Sequence, residues 1–139
     1  MKITRLFRPF LDSQRYLILP SIGKLEMIAG HSDYQNNETG KNILHFKEDK
    51  NIQPDPEFLT FLSRHLKVDP NILMADLQCF SDSTNELLIQ GFEAEIPAIG
   101  FLHRNQKHQI QFSVKSIYSS ATKINLKKHA AFLSASFWL

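Results

Sequence analysis

The spacing of hydrophobic and polar positions changes several times along this chain, and each change marks a new element. Apolar residues recur at helical spacing over residues 4–13, which predicts a short amphipathic helix. Apolar, β-prone runs then predict strands at about 15–19, 24–29 and 42–46, with a turn at Pro20 to Gly23 and a polar connection over residues 30–41. The chain therefore begins with one helix followed by three strands.

The middle of the chain predicts two helices with the same kind of start. Asp55 and Asp69 each precede a proline, an order typical of a side-chain cap followed by proline in the first helical turn. The helices run to about residue 66 and about residue 90, where Gly91 ends the second one. The apolar stripe of the second helix is expected to contain Leu73, Leu77, Phe80, Thr84 and Leu87.

A second set of strands is predicted between residues 92 and 114, with a short hairpin tip over residues 104–109. A linker rich in Ser and Thr at residues 116–122 leads to a last helix predicted from Leu126. The apolar end of the chain is expected to pack on the core. The alternative is that it precedes a segment absent from this sequence, because an exposed apolar end favours aggregation.

One phrase of the sequence occurs twice. Residues 18–25 read ILPSIGKL, and residues 95–102 read EIPAIGFL. Each copy joins two strands through a proline and a glycine, and each is followed by a β-prone stretch that ends in Phe46 or Phe112. Internal repetition of this kind predicts two related units. Neither copy contains a catalytic set of residues, so the repeat favours a binding or scaffold role.

Charge adds information that the overall composition conceals. The 139 residues are 42% hydrophobic and carry a net charge of +2, which is ordinary for a globular protein. Residues 1–47 contain seven basic and four acidic side chains, and residues 48–95 contain three basic and ten acidic ones. Residues 96–139 contain six basic side chains and no acidic one. An acidic middle beside a basic end indicates either a nucleic-acid-binding face or two halves that attract each other.

Several function classes lack their sequence signals. The single cysteine, Cys79, excludes an internal disulfide, and the chain has neither a signal peptide nor an apolar run of membrane-spanning length, so we expect a cytoplasmic protein. His103 and His108 flank the short hairpin, but no further metal ligand lies near them in the sequence. No phosphate-binding glycine loop or nucleophile elbow is present. We therefore expect no enzyme activity, no metal, no cofactor and no small-molecule substrate.

The order of elements around the second copy resembles that of the HU/IHF superfamily of bacterial DNA-bending proteins. The residues that carry the resemblance are 62–70 (LSRHLKVDP), the long helix to Gly91, and 92–101 (FEAEIPAIGF). The tandem arrangement is similar to the paired HU-like domains that begin some bacterial envelope proteins, ahead of a membrane helix and a peptidoglycan-binding SPOR domain. This chain contains neither of those parts, so we expect a stand-alone relative or the N-terminal portion of a longer protein.

The resemblance implies an α+β fold of two tandem HU/IHF-like units, residues 1–66 and 67–139. Each unit would contain helices and a three-stranded antiparallel β-sheet. HU units bury their faces by dimerising, and two linked copies can do so within one chain at high effective concentration. The first copy has only the short helix before its strands. We therefore expect the copies to pack as an intramolecular pseudo-dimer that shares a core.

The resemblance also implies DNA binding, although the arm differs from that of HU. HU bends DNA with a proline that wedges between base steps, and Gln106 stands at that place here. We expect sequence-tolerant phosphate contacts without wedge bending. The candidate contacts are Arg104, Lys107, Lys115, Lys127 and Lys128, with Lys24 and Lys41 in the first copy. The alternative is a protein-interaction or scaffold module that has kept the HU fold and lost DNA binding, with a second copy or another protein as its partner.

Overall fold

The computed structural model describes residues 2–29 and 42–117 of the chain. A 3-10 turn at Lys2–Leu6 leads into α1 (Phe7–Gln14) and then β1 (Tyr16–Leu19), β2 (Gly23–Ala29) and β3 (Asn42–Glu48). The second half contains α2 (Pro56–Leu66), α3 (Pro70–Ile89), β4 (Ala94–Ile96), β5 (Gly100–Arg104) and β6 (Ile110–Ser113). The expected α+β class is confirmed, with two three-stranded antiparallel sheets in the orders β1-β2-β3 and β4-β5-β6.

Both helices of the middle segment begin as their caps predict. The Asp55 carboxylate accepts a hydrogen bond from the Glu57 amide at 3.1 Å, and the Asp69 carboxylate accepts one from the Asn71 amide at 2.8 Å. These bonds satisfy backbone donors that have no partner within the helix. Gly91 follows Gln90, the C-cap residue of α3, and has a φ of 87°, a left-handed conformation that suits glycine.

The structure corrects three details of the expected elements. Arg15 caps α1 with a φ of 71° and is not the first residue of β1. Arg104 belongs to β5, so the second hairpin tip begins one residue later than expected. In α3, Leu87 is 41% exposed and Leu88 is buried in its place. The buried stripe keeps the helical period through Leu73, Leu77, Ser81, Thr84 and Leu88. The predicted helix from Leu126 and the apolar chain end lie outside the described residues.

The two copies of the repeated phrase occupy equivalent positions in the two sheets. Leu25 lies opposite Phe46, and Leu102 lies opposite Phe112 in the same register. A methyl group on Gly100 would stand 2.6 Å from the Phe112 ring, and one on Gly23 would stand 2.7 Å from the Phe46 ring. The aromatic ring of the facing strand therefore packs directly against the backbone of each glycine, and any larger residue would displace that ring.

The buried side chains of both halves form one continuous core. Phe7 of α1 lies 5.8 Å from Phe58 of α2 and 5.1 Å from Phe80 of α3, measured between ring centroids. Phe10 lies 4.7 Å from Phe58. The helix that precedes the first sheet thus packs against the two helices that precede the second. The expected boundary between residues 66 and 67 falls between α2 and α3, which pack against each other.

Each half also holds the proline–glycine turn of the other through a helix side chain. Arg8 of α1 donates to the Ala98 carbonyl at 3.5 Å, and Asn85 of α3 donates to the Ser21 carbonyl at 3.3 Å. Ser21 and Ala98 are equivalent residues of the repeat, with φ values of 63° and 65°. The sheets meet at β3 and β6, where the Ile110 amide donates to Glu48 at 3.2 Å.

Candidate nucleic-acid interface

The outward face of the first sheet follows from the strand register. Side chains alternate between the two faces of a strand, so residues directly opposite each other share a face. Leu17, Leu25 and Phe46 lie opposite one another and face the core. The intervening positions lie on the opposite face of the sheet, where Tyr16 at the edge also packs against Phe10 of the core. They are Tyr16, Ile18, Lys24, Glu26, Ile28, Ile43, His45 and Lys47, and we call this set the outward face.

Two lysines stand directly opposite each other at the end of the outward face that is nearest the turn between β1 and β2. Lys24 of β2 is the register partner of Lys47 of β3. Lys24 Nζ lies 3.2 Å from Glu26 Oε1, whereas the exposed Lys47 ammonium forms no hydrogen bond or ion pair with any other described residue. Like charges directly opposite in a sheet are destabilising. An anion that binds between the two ammonium groups would remove this repulsion.

Tyr16 supports Lys24 from the edge strand. The Lys24 ammonium lies 5.2 Å from the centre of the Tyr16 ring, within the range of a cation–π contact. The Tyr16 hydroxyl lies 2.7 Å from Asp55 Oδ2 and 2.9 Å from Glu57 Oε2, and donates its proton to one of these carboxylates at a time. Partial burial, followed by the hydrogen bonds to Asp55 and Glu57 and their charges, raises the pKa of Tyr16 above its ordinary value.

The tip of the second hairpin is closed by its own hydrogen bonds. Asn105 Oδ1 accepts from the Lys107 amide at 2.9 Å and from the Gln109 amide at 3.0 Å. The Asn105 amide donates to the Gln109 carbonyl at 2.9 Å, and His108 completes the turn with a φ of 62°. The tip presents the exposed side chains of Gln106 and Lys107 on a compact turn. This differs from the long arm with a proline at its end that the HU resemblance implies.

The remaining candidate residues lie in different places. Lys115 is exposed just after β6. Arg104 is half-buried, and its register partner Ile110 places it on the same face of the sheet as Leu102, which belongs to the core. Arg104 therefore lines a cleft between the two sheets and does not extend the outward face. Lys41, Lys127 and Lys128 lie outside the described residues.

Lys47 and His45 belong to the outward face but are not among the residues expected from the sequence. The signal was available, because Lys47 and His45 alternate with the core residue Phe46. What the sequence did not supply was the register that sets Lys47 opposite Lys24. The hairpin connection of residues 30–41 is too long for its length to determine that register.

The longest helix, α3, carries the opposite charge. α3 contains no lysine or arginine, and its exposed positions include Asp76, Asp82 and Glu86. A polyanion would be repelled from this helix. The acidic positions of α3 are thus separate from the two lysines of the outward face, which lie on the first sheet.

Comparisons with protein-family models, with curated proteins and with solved structures each return no match. Within residues 2–29 and 42–117, no helix is both long enough and apolar enough to cross a membrane. The same residues contain no group of three or more His, Cys, Asp or Glu side chains arranged to hold a metal ion.

Proposed function

We propose that this chain is a non-enzymatic, HU-like DNA-binding module that contacts phosphates with little regard to base sequence. The observation that carries the proposal is the pairing of Lys24 with Lys47 on the outward face of the first sheet. Phosphate contacts from lysines supply affinity without reading bases. Lys107 at the hairpin tip and Lys115 after β6 supply further exposed ammonium groups on the second sheet.

The pseudo-dimer arrangement of two tandem HU/IHF-like units is part of the same proposal. Its support is the single core, together with the hydrogen bonds that Arg8 and Asn85 make to equivalent turns of opposite halves. A pair of HU-like units arranged in this way presents both sheets to one ligand. The charge on α3 then keeps the DNA on the side of the sheets.

We further propose that binding does not insert a wedge into the DNA. A wedge requires an apolar side chain that extends between base steps. The described hairpin tip carries Gln106 and Lys107, and the Asn105 side chain ties its backbone into a tight turn. The DNA is therefore expected to remain close to straight, which fluorescence energy transfer between dyes at the two ends of a duplex would measure.

The decisive experiment measures fluorescence anisotropy of a labelled duplex of about 30 base pairs over a salt series. Each lysine that contacts a phosphate contributes about 0.9 to the slope of log affinity against log salt. We expect K24Q/K47Q to reduce that slope by about two units. Lys67→Gln is the matched control, because Lys67 is exposed on the turn between α2 and α3. No binding at low salt, or an equal loss in Lys67→Gln, would contradict the proposal.

One observation favours the alternative, a protein-interaction or scaffold module. Ile28 is 48% exposed and Ile43 is 60% exposed, and they lie opposite each other on the outward face. Adjacent exposed isoleucines are typical of a surface that contacts another protein, including a second copy of this chain. Light scattering of the wild type and of Ile43→Asp tests self-association. A concentration-dependent dimer that Ile43→Asp abolishes, together with no DNA binding, would favour this function.

A further inference from the structure

A cleft between the two sheets is separate from the outward face. Its volume is about 390 Å³, and residues of both halves and of α3 line it. Lys50, from the turn after β3, lines the cleft together with Arg104 and His108 from the second hairpin. Ile110 of β6 and Leu88 of α3 supply apolar walls. This combination of a few polar groups with apolar walls is typical of small-ligand sites.

Arg104 is the most informative residue of the cleft. It is half-buried, and its guanidinium forms no hydrogen bond or ion pair with any other described residue. Removing a charged group from water without a partner is unfavourable. The planar guanidinium matches phosphate and carboxylate oxygens in a two-bond geometry. The half-buried position therefore suits an anionic ligand that supplies the partner.

Two of the neighbouring polar side chains, Glu48 and Asn85, already have partners. Glu48 accepts the Ile110 amide at 3.2 Å, and Asn85 donates to the Ser21 carbonyl at 3.3 Å. The side chains of Lys50 and His108 are exposed and make no such bonds within residues 2–29 and 42–117. The cleft thus offers the side chains of Lys50, Arg104 and His108 to an anion. It holds one carboxylate, which the backbone of β6 fixes in place.

We propose that this cleft binds one phosphate group, held by the Arg104 guanidinium with Lys50 at its rim. The organic part of the ligand lies against Leu88 and Ile110. A volume near 390 Å³ stands at the small end of the range for ligand clefts, which suits a phosphate monoester of mononucleotide size. The group has two sources, a free monoester or a phosphate of bound DNA. The site does not depend on the outward face, so it goes beyond the proposed function.

Isothermal titration calorimetry with adenosine monophosphate, and separately with inorganic phosphate, tests the cleft in the full chain. We expect Arg104→Gln to weaken binding of the monophosphate by roughly tenfold or more. Lys50→Gln should weaken it less, because Lys50 is exposed at the rim. Glu48→Gln should strengthen it by removing a negative charge while keeping an acceptor for the Ile110 amide. Lys67→Gln is the control, because it removes a positive charge from an exposed position on the turn between α2 and α3, outside both the cleft and the proposed DNA contacts.

The proposal is overturned if neither probe binds the wild type, or if Lys67→Gln loses as much affinity as Arg104→Gln. Circular dichroism checks that Arg104→Gln folds. If it does not fold, the affinities of Lys50→Gln and Glu48→Gln for the monophosphate test the proposal in its place.

Duplex binding distinguishes the two sources of the phosphate. If Arg104→Gln weakens both monophosphate and DNA, and the monophosphate competes with DNA, the cleft takes a DNA phosphate. If DNA binding is unchanged, the cleft takes a free monoester. Failure of the cleft leaves the K24Q/K47Q result standing, so the two proposals fail separately.

Discussion

Phe7→Ala tests whether the two halves are one folding unit. The Phe7 ring is fully buried, and it touches Phe58 and Phe80, which belong to the other half of the chain. Replacing a buried Phe with Ala costs about 3–5 kcal/mol through lost burial and the cavity that remains. A small domain has only about 5–15 kcal/mol of unfolding free energy in total. The variant should therefore lose a large part of its stability.

The location of the loss is as informative as its size. Because the ring lies between α1 and the helices of the second half, Phe7→Ala should weaken both sheets equally. Urea unfolding followed by far-UV circular dichroism measures the total loss, and amide hydrogen exchange measures it separately in β2 and β5. Phe92→Ala is the matched control, since that ring is 39% exposed and its loss should be far smaller.

The reasoning is refuted if exchange accelerates in β2 alone while β5 keeps its protection. Two separate urea transitions in the wild type would have the same meaning. Either result would show that the halves have independent cores, and that the contacts of Phe7 contribute little to the second sheet.

Three further predictions concern smaller parts of the structure. Gly100→Ala should cost about 1–3 kcal/mol in urea unfolding, because the added methyl group meets the Phe112 ring and backbone; an unchanged midpoint would mean that the ring moves aside. Asn105→Ala should accelerate exchange of the two tip amides that it accepts, and unchanged rates would show that the turn closes without it. Tyr16 keeps its proton in the folded state above pH 10, where an unfolded tyrosine releases it. Stability should therefore fall as pH rises beyond 10, and Tyr16→Phe should lessen that fall; identical pH profiles would oppose this account.

The local elements of this fold follow from short-range signals. Asp55 and Asp69 with their following prolines identify both helix starts, because a cap acts on amides two residues away. The repeated Pro-x-Ile-Gly phrase identifies the first turn of both sheets, since the proline and the glycine act on the backbone of the turn itself. Such features need no knowledge of the rest of the chain.

The candidate site follows much less completely from the sequence. Lys24 was recognised as a basic residue, but its pairing with Lys47 depends on a register set by the whole sheet. Arg104 looked like an exposed tip residue, yet the strand continues through it and turns it towards the core side. In both cases the face that a side chain occupies depends on the register between paired strands. The spacing of residues within one segment does not determine that register.

The helix-to-turn hydrogen bonds have an evolutionary consequence. Equivalent carbonyls of the repeat, at Ser21 and Ala98, are held by an asparagine in one case and an arginine in the other. In a symmetric homodimer, one gene position supplies both contacts, so any substitution changes both at once. Within a single chain the two positions can mutate separately. One half can therefore acquire a new ligand while the other preserves the common architecture. The two subunits of a homodimer cannot diverge in this way, because one gene encodes both.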